Sequence, residues 1–189
     1  MTRLTATSSQ TVGPFFNFGL TQDASLGCLA RPDTPGEHIT LRIRVLDGDG
    51  TPVPDALIEL WQADASGRYV RPPDSASIGE APEFFGFGRL PTDADGAAVF
   101  TTIRPGQVHD EQGGAQASHI NVCVFARGLL RQVYTRIYLA AASELEADPI
   151  LALVPEDRRA TLVAHQADLS TWAFVIKLQG ENETVFFDL

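Results

Sequence analysis

Ser118-His119-Ile120-Asn121-Val122-Cys123-Val124-Phe125 reads as a β-strand. Side chains alternate between faces, so Ile120, Val122 and Val124 share an apolar face turned to a core. His119, Asn121, Cys123 and Phe125 share the other. A His-x-His strand would set two imidazoles side by side, ready to grip one metal ion. Here the second position is Asn121, and an amide is a poor ligand for a ferric or zinc ion beside an imidazole. The stretch has the pattern of a metal-binding strand that has lost a ligand.

Strands flank it on both sides. Residues 38–46 alternate cleanly, with Ile39, Leu41, Ile43 and Val45 inward and Thr40, Arg42 and Arg44 outward. Asp47-Gly48-Asp49-Gly50 predicts a hairpin turn. The turn is favoured over a calcium loop, which needs a longer acidic series and a closing Glu twelve positions along. Residues 55–63, 98–103, 132–139, 173–178 and 183–187 read as further strands. Residues 72–83 and 107–117 read as long loops, which on a compact domain tend to be functional. Residues 143–166 suggest the only helices, interrupted by Pro149 and Pro155. Short strands at this spacing with Gly/Pro turns predict an all-β fold, a two-sheet β-sandwich with long loops, an N-terminal arm and one or two short helices.

The organisation expected is a single domain: an irregular arm over residues 1–36, broken by Pro14, Pro32 and Pro35, and a sandwich over residues 37–189. Within the arm, Gly13-Pro14 fixes a turn, and Phe15 and Phe16 want an apolar partner. The arm either packs over its own core or reaches a partner chain and lines a pocket. At 189 residues the chain is long enough to bury a self-sufficient core. A net charge of −10, from 14 basic and 24 acidic residues, excludes nucleic acid and anionic membrane surfaces as partners. A small anionic substrate remains compatible, because one local arginine can outweigh a distant field. The two cysteines, Cys28 and Cys123, form no disulfide framework and are expected as free thiols in a reducing cytoplasm. No apolar run approaches the ~20 residues of a membrane span. Met1-Thr2-Arg3-Leu4 lacks the apolar stretch of a secretory signal. No Walker loop, Rossmann fingerprint or serine elbow occurs.

Gln10-Thr11-Val12-Gly13-Pro14-Phe15-Phe16, Glu59-Leu60-Trp61-Gln62-Ala63-Asp64, Gly67-Arg68-Tyr69, Gly88-Arg89, Thr92-Asp93-Ala94-Asp95-Gly96, Ile103-Arg104-Pro105-Gly106, His119-Ile120-Asn121 and Thr135-Arg136-Ile137-Tyr138-Leu139 follow in order. In combination they resemble the intradiol aromatic-ring dioxygenases over nearly the whole chain. The opening, Pro35-Gly36-Glu37-His38-Ile39 and the ending at Gly180–Asp188 resemble the α chains of the family's two-chain members in particular.

The resemblance implies an enzyme subunit whose partner, a β chain, holds one Fe(III) and opens a carboxylated catechol ring with O2. The family's iron site uses two tyrosines and two histidines. Residues 70–88, where the first tyrosine is expected, contain none, and Val108 stands where the second should be. His119 matches the first histidine and Asn121 replaces the second. One ligand of four remains, so no metal is expected on this chain, and no catalytic residue. Without phenolates, one neutral imidazole and one amide cannot neutralise three positive charges. His119 then reads as a hydrogen-bonding structural residue.

What the resemblance leaves this chain is a wall of the partner's cavity, built from Thr11, Gly13, Pro14 and Arg127. Glycine and proline suit close approach to a flat ring. The Arg127 guanidinium would favour a carboxylate; its bland alternative is a surface salt bridge. The αβ protomers are expected to assemble further. Two other readings stay open: a free-standing enzyme with a divergent metal site built from His109, His119 and an acid, and a non-enzymatic, prealbumin-like binding or structural sandwich.

Overall fold

The computed structural model describes residues 6–70, 84–109 and 114–188. The loop expected over residues 72–83 lies outside the described residues. The described strands are β1 (His38–Leu46), β2 (Leu57–Gln62), β3 (Phe87–Pro91), β4 (Ala97–Ile103), β5 (Val108–His109), β6 (Ala115–Gln116), β7 (His119–Phe125), β8 (Val133–Tyr138), β9 (His165–Gln166) and β10 (Thr171–Lys177). Two four-stranded sheets result, β4-β1-β10-β9 and β3-β2-β7-β8, and β5-β6 form a separate ribbon. β1 and β10 run parallel and every other pairing between strands is antiparallel.

The period-two pattern explains the layers. Leu41, Ile43, Val45, Phe100, Phe174 and Ile176 of the first sheet meet Ile58, Leu60, Ile120, Val122, Val124 and Ile137 of the second. Each fully buried side chain of this kind contributes about 1.5–3 kcal/mol of transfer free energy. Gln62 ties the sheets with polar bonds: its amide donates to Ile103 O at 2.9 Å and accepts from Thr102 Oγ1 at 2.8 Å. A smaller cluster of Ala117, Tyr138, Leu151, Val154 and Leu162 seals one end of the β7–β8 edge. The buried Asp148 carboxylate organises it, accepting from Ala117 N, Ile150 N, Leu151 N and the Tyr138 hydroxyl at 2.7–3.0 Å.

Four expectations need correction. Residues 183–187 form no strand and bridge to β8 only at Tyr134–Phe187. Helices are not confined to residues 143–166: besides α2 (Ala142–Ala147) the chain forms α1 (Pro14–Leu20) inside the supposedly irregular arm. Proline at the first helical position lacks only an N–H that would have no intrahelical partner anyway. The segment 107–117 is not simply a loop, because β5 and β6 pair within it. Asp47-Gly48-Asp49-Gly50 does turn, with Asp47 Oδ1 accepting from Asp49 N and Thr51 N. It closes only a short stub at Leu46–Pro52, since β1 and β2 belong to different sheets. No helix among the described residues is long and apolar enough to cross a membrane.

Candidate functional site

The outer face of the β3-β2-β7-β8 sheet carries the side chains that alternate away from the core. Strand register stacks them in rows. His119 pairs with Tyr138; Phe87, Trp61, Asn121 and Arg136 form the next row; Arg89, Glu59, Cys123 and Tyr134 the one after; Leu57 and Phe125 the last. Residues of the 150–155 segment and the C-terminal Val185, Phe187 and Asp188 stand over this face and leave a cleft of about 800 Å³.

At the His119 end a hydrogen-bonded chain closes. His119 is 1% exposed, and its Nδ1 lies 2.7 Å from Ala117 O. A carbonyl only accepts, so Nδ1 carries the hydrogen and Nε2 is left as acceptor. Tyr69 Oη stands 3.4 Å from that nitrogen and accepts from Asn121 Nδ2 at 2.8 Å. The order is Asn121 N–H to Tyr69 oxygen, Tyr69 O–H to His119 Nε2, and His119 Nδ1–H to Ala117 O. Burial, then the Arg136 charge, holds the His119 pKa down, so the ring stays neutral. Burial also pushes the Tyr69 phenol up, against smaller lowering effects of Asn121 and Arg136.

Tyr69 overturns the expectation of a pocket without a phenol. The turn that delivers it is dictated locally. Asp64 Oδ1 accepts from Ser66 N and Arg68 N, and Gly67 sits at φ +81 with its missing Cβ facing Gln107 O, a place no other residue fits. Tyr69 then stacks against Trp61, ring centroids 6.3 Å apart and 8° from parallel. The signal was present in Gly67-Arg68-Tyr69, one residue before the stretch 70–88.

Even so, the donor set does not fit a ferric ion. Tyr69, His119 and Asn121 supply one protonated phenol, one neutral imidazole and one amide whose N–H is turned toward the phenol oxygen. The Arg136 guanidinium acts electrostatically on both Tyr69 and His119. A hard trivalent cation is favoured by anionic oxygens and disfavoured by a second cation beside it. Val108, with no donor atom, lies half-buried on β5. His109 is exposed on the same strand, and among the described residues no three His, Cys, Asp or Glu side chains converge. The divergent metal site built on His109 is therefore not assembled from the described residues. Cys123 is no nucleophile: burial, then the Glu59 charge, pushes its thiol up to about 12.

The other named residues gather at the far end of β7, roughly 20 Å away by strand rise. Thr11 Oγ1 accepts from Gly128 N at 2.8 Å, Phe16 packs on Phe125 at 5.0 Å between centroids, and Asn17 Nδ2 donates to Asp55 O. Val12, Gly13, Phe16, Asp55 and Arg127 surround a small cavity of about 120 Å³. Gly13 caps the start of α1, whose first residue is Pro14. Arg127 reaches Asp55 at 3.8 Å, with both side chains about two-thirds exposed, so the surface salt bridge does form. Such a pair is worth about 0–1 kcal/mol.

Comparison with known proteins agrees with this geometry. Residues 11–180 match the family Dioxygenase_C, described as dioxygenase. The chain is similar to the protocatechuate 3,4-dioxygenase alpha chain of Burkholderia cepacia, at 40% identity over the whole of both chains. It is also similar to the beta chain from that organism, at 34% identity over 87% of this chain and 74% of that one. In fold it is similar to 3-chlorocatechol 1,2-dioxygenase from Rhodococcus opacus 1CP, with TM-score 0.61 and 20% identity, over 91% of this chain and 71% of that one. The family matched and the full-length relatives agree: this chain belongs to the intradiol ring-cleavage dioxygenases.

Proposed function

We propose that this chain is the α-type, non-iron-binding subunit of a hetero-oligomeric protocatechuate 3,4-dioxygenase. Its partner, a β chain, holds the Fe(III). Together they cleave protocatechuate with O2 between its hydroxyl-bearing carbons, giving 3-carboxy-cis,cis-muconate. The observation that carries this reading is the donor set around His119, in which a phenol, an imidazole and an amide are bonded to one another beside a guanidinium. Val108, His119 and Asn121 are then degenerate ligand positions.

In this reading the chain contributes shape and charge. The arm, residues 1–36, reaches the partner, with Thr11, Gly13 and Pro14 as part of the partner's cavity wall. A Cβ at Gly13 would meet nothing within 4 Å in this chain, and φ there is −98. Nothing internal demands glycine at that position; a neighbour's close approach would. Phe15 and Phe18 of α1 are 88% and 65% exposed, the composition of a surface that becomes buried in an obligate pair. Arg127 supplies a cation for the substrate carboxylate or the anionic product, released from its weak bond to Asp55. The αβ pair assembles further in the cytoplasm, where two unpaired thiols are suited to reducing conditions.

Co-expression with a β-type relative tests this. The two chains should co-purify as a coloured complex that consumes O2 with protocatechuate, while the lone chain is colourless and inactive. Ring cleavage by the lone chain would refute the reading. The non-enzymatic sandwich reading is not favoured, since full-length similarity runs to dioxygenase chains.

A further inference from the structure

Among the described residues, Arg136 is a charge without a counter-charge. It projects from β8 into the 800 Å³ cleft, in the row shared with Asn121, Trp61 and Phe87. Its partners are neutral: Gln116 Oε1 at 2.8 Å and the Tyr138 hydroxyl. The ion pairs among the described residues are Arg68–Asp64, Arg89–Glu59, Arg104–Glu37 and Arg127–Asp55, none of which involves it. Acidic residues outnumber basic ones by 24 to 14 here, yet among the described residues no carboxylate lies within 4 Å of this partly buried guanidinium. Leaving such a charge unmatched is costly unless something anionic comes to it.

The rest of the cleft narrows the choice of anion. Glu59, the other charge on the floor, is already taken by Arg89 at 2.6 Å. Cys123 keeps its proton. Asp188 stands exposed at the rim. Asn121 uses one amide hydrogen on Tyr69 and has a second to give. Trp61, Phe87, Leu153, Val154 and Phe187 make the walls largely apolar. Apolar walls with a few convergent polar groups are the make-up of small-molecule pockets, and the volume is in their range.

We propose that this cleft binds an apolar monocarboxylic acid, its carboxylate forked on Arg136 beside the Asn121 amide and its body laid along Trp61 and Phe187. The site belongs to this chain alone and involves neither a metal nor the Arg127 cavity. A half-buried guanidinium bonded to a carboxylate is among the stronger charge-assisted contacts.

Titration of the full chain with 3-phenylpropionate, followed by tryptophan emission, tests it because Trp61 lies on the cleft floor. The signal should saturate at one acid per chain. The uncharged 3-phenylpropionamide should bind at least about tenfold more weakly, and Arg136→Gln should lose at least about tenfold for the acid alone. If Arg136→Gln does not give a folded chain by circular dichroism, Asn121→Leu serves with the same readout. Absence of saturation, equal affinity for acid and amide, or wild-type acid affinity in the variants would each overturn the proposal.

Discussion

At one end of β7, His119 is buried, bonded at one ring nitrogen to Ala117 O and faced at the other by Tyr69 Oη, and packed against the cluster that Asp148 organises. At the other end, Arg127 is two-thirds exposed and holds Asp55 at 3.8 Å, while α1 presents Phe15 and Phe18 outward. The same strand thus carries a region whose polar groups satisfy each other and a region whose groups are left available. The closed part of that network rigidifies: both ring nitrogens of His119 are engaged, and only the outward amide hydrogen of Asn121 is left to offer a ligand. An open one contributes little to the monomer's stability and is free to contribute to an assembly.

The largest expected effect breaks the closed end. Asp148→Ala strands three backbone N–H groups and the Tyr138 hydroxyl, and should lower stability by about 3–4 kcal/mol in urea unfolding. At the open end, Thr11→Val strands one exposed N–H and should cost at most about 1 kcal/mol. Comparable losses would erase the contrast. Next, Asn121→His with Arg136→Gln replaces the bonded amide by an imidazole and removes the neighbouring cation. This double variant should take up one equivalent of Co(II), visible by absorption, while the wild type takes up none. Failure of the double variant would mean that ligand loss and local charge are not what disables the site.

Arg127→Ala should change stability by less than about 0.5 kcal/mol, as expected for an exposed pair. In the assembled enzyme it should reduce kcat/KM for a carboxylated catechol by roughly tenfold, the value of one charge-assisted contact, with iron content unchanged. Loss of iron would contradict its place on a cavity wall. The smallest effect is pH-dependent. His119 titrates below its ordinary value of about 6.5 in the native chain. Between the lowered value and about 6.5 the unfolded chain therefore binds a proton that the native chain does not, and stability falls as pH drops through that window. His119→Gln should flatten this acid slope by at most about 1.4 kcal/mol per pH unit. An unchanged slope would show that the ring is not held neutral.

Much of this was legible in the chain itself. β1 could be read residue by residue because one face is buried and the other solvated, so hydrophobicity alternates with the pleat. The loss of a ligand at Asn121 was visible because i and i+2 of a strand share a face. What escaped were features that depend on distant partners. Tyr69 meets His119 across 50 positions of sequence, brought there by a turn pressed against Gln107. The pairing of β5 with β6 involves two residues each and shows no period. α1 was hidden because Gly13-Pro14 reads as a turn and Pro14 as a breaker, although proline is compatible with a helix start. Arg136 stands in the stretch Thr135-Arg136-Ile137-Tyr138-Leu139, but only its spatial neighbours show that it lacks a counter-charge among the described residues.

On the proposed function, this polypeptide holds no ferric iron of its own. The most direct test is the iron content and visible spectrum of the full chain, produced without a β-type partner in iron-supplemented medium. Substoichiometric iron and no tyrosinate-to-iron absorption are expected. One tightly held iron per chain, lost on His119→Ala, would contradict it.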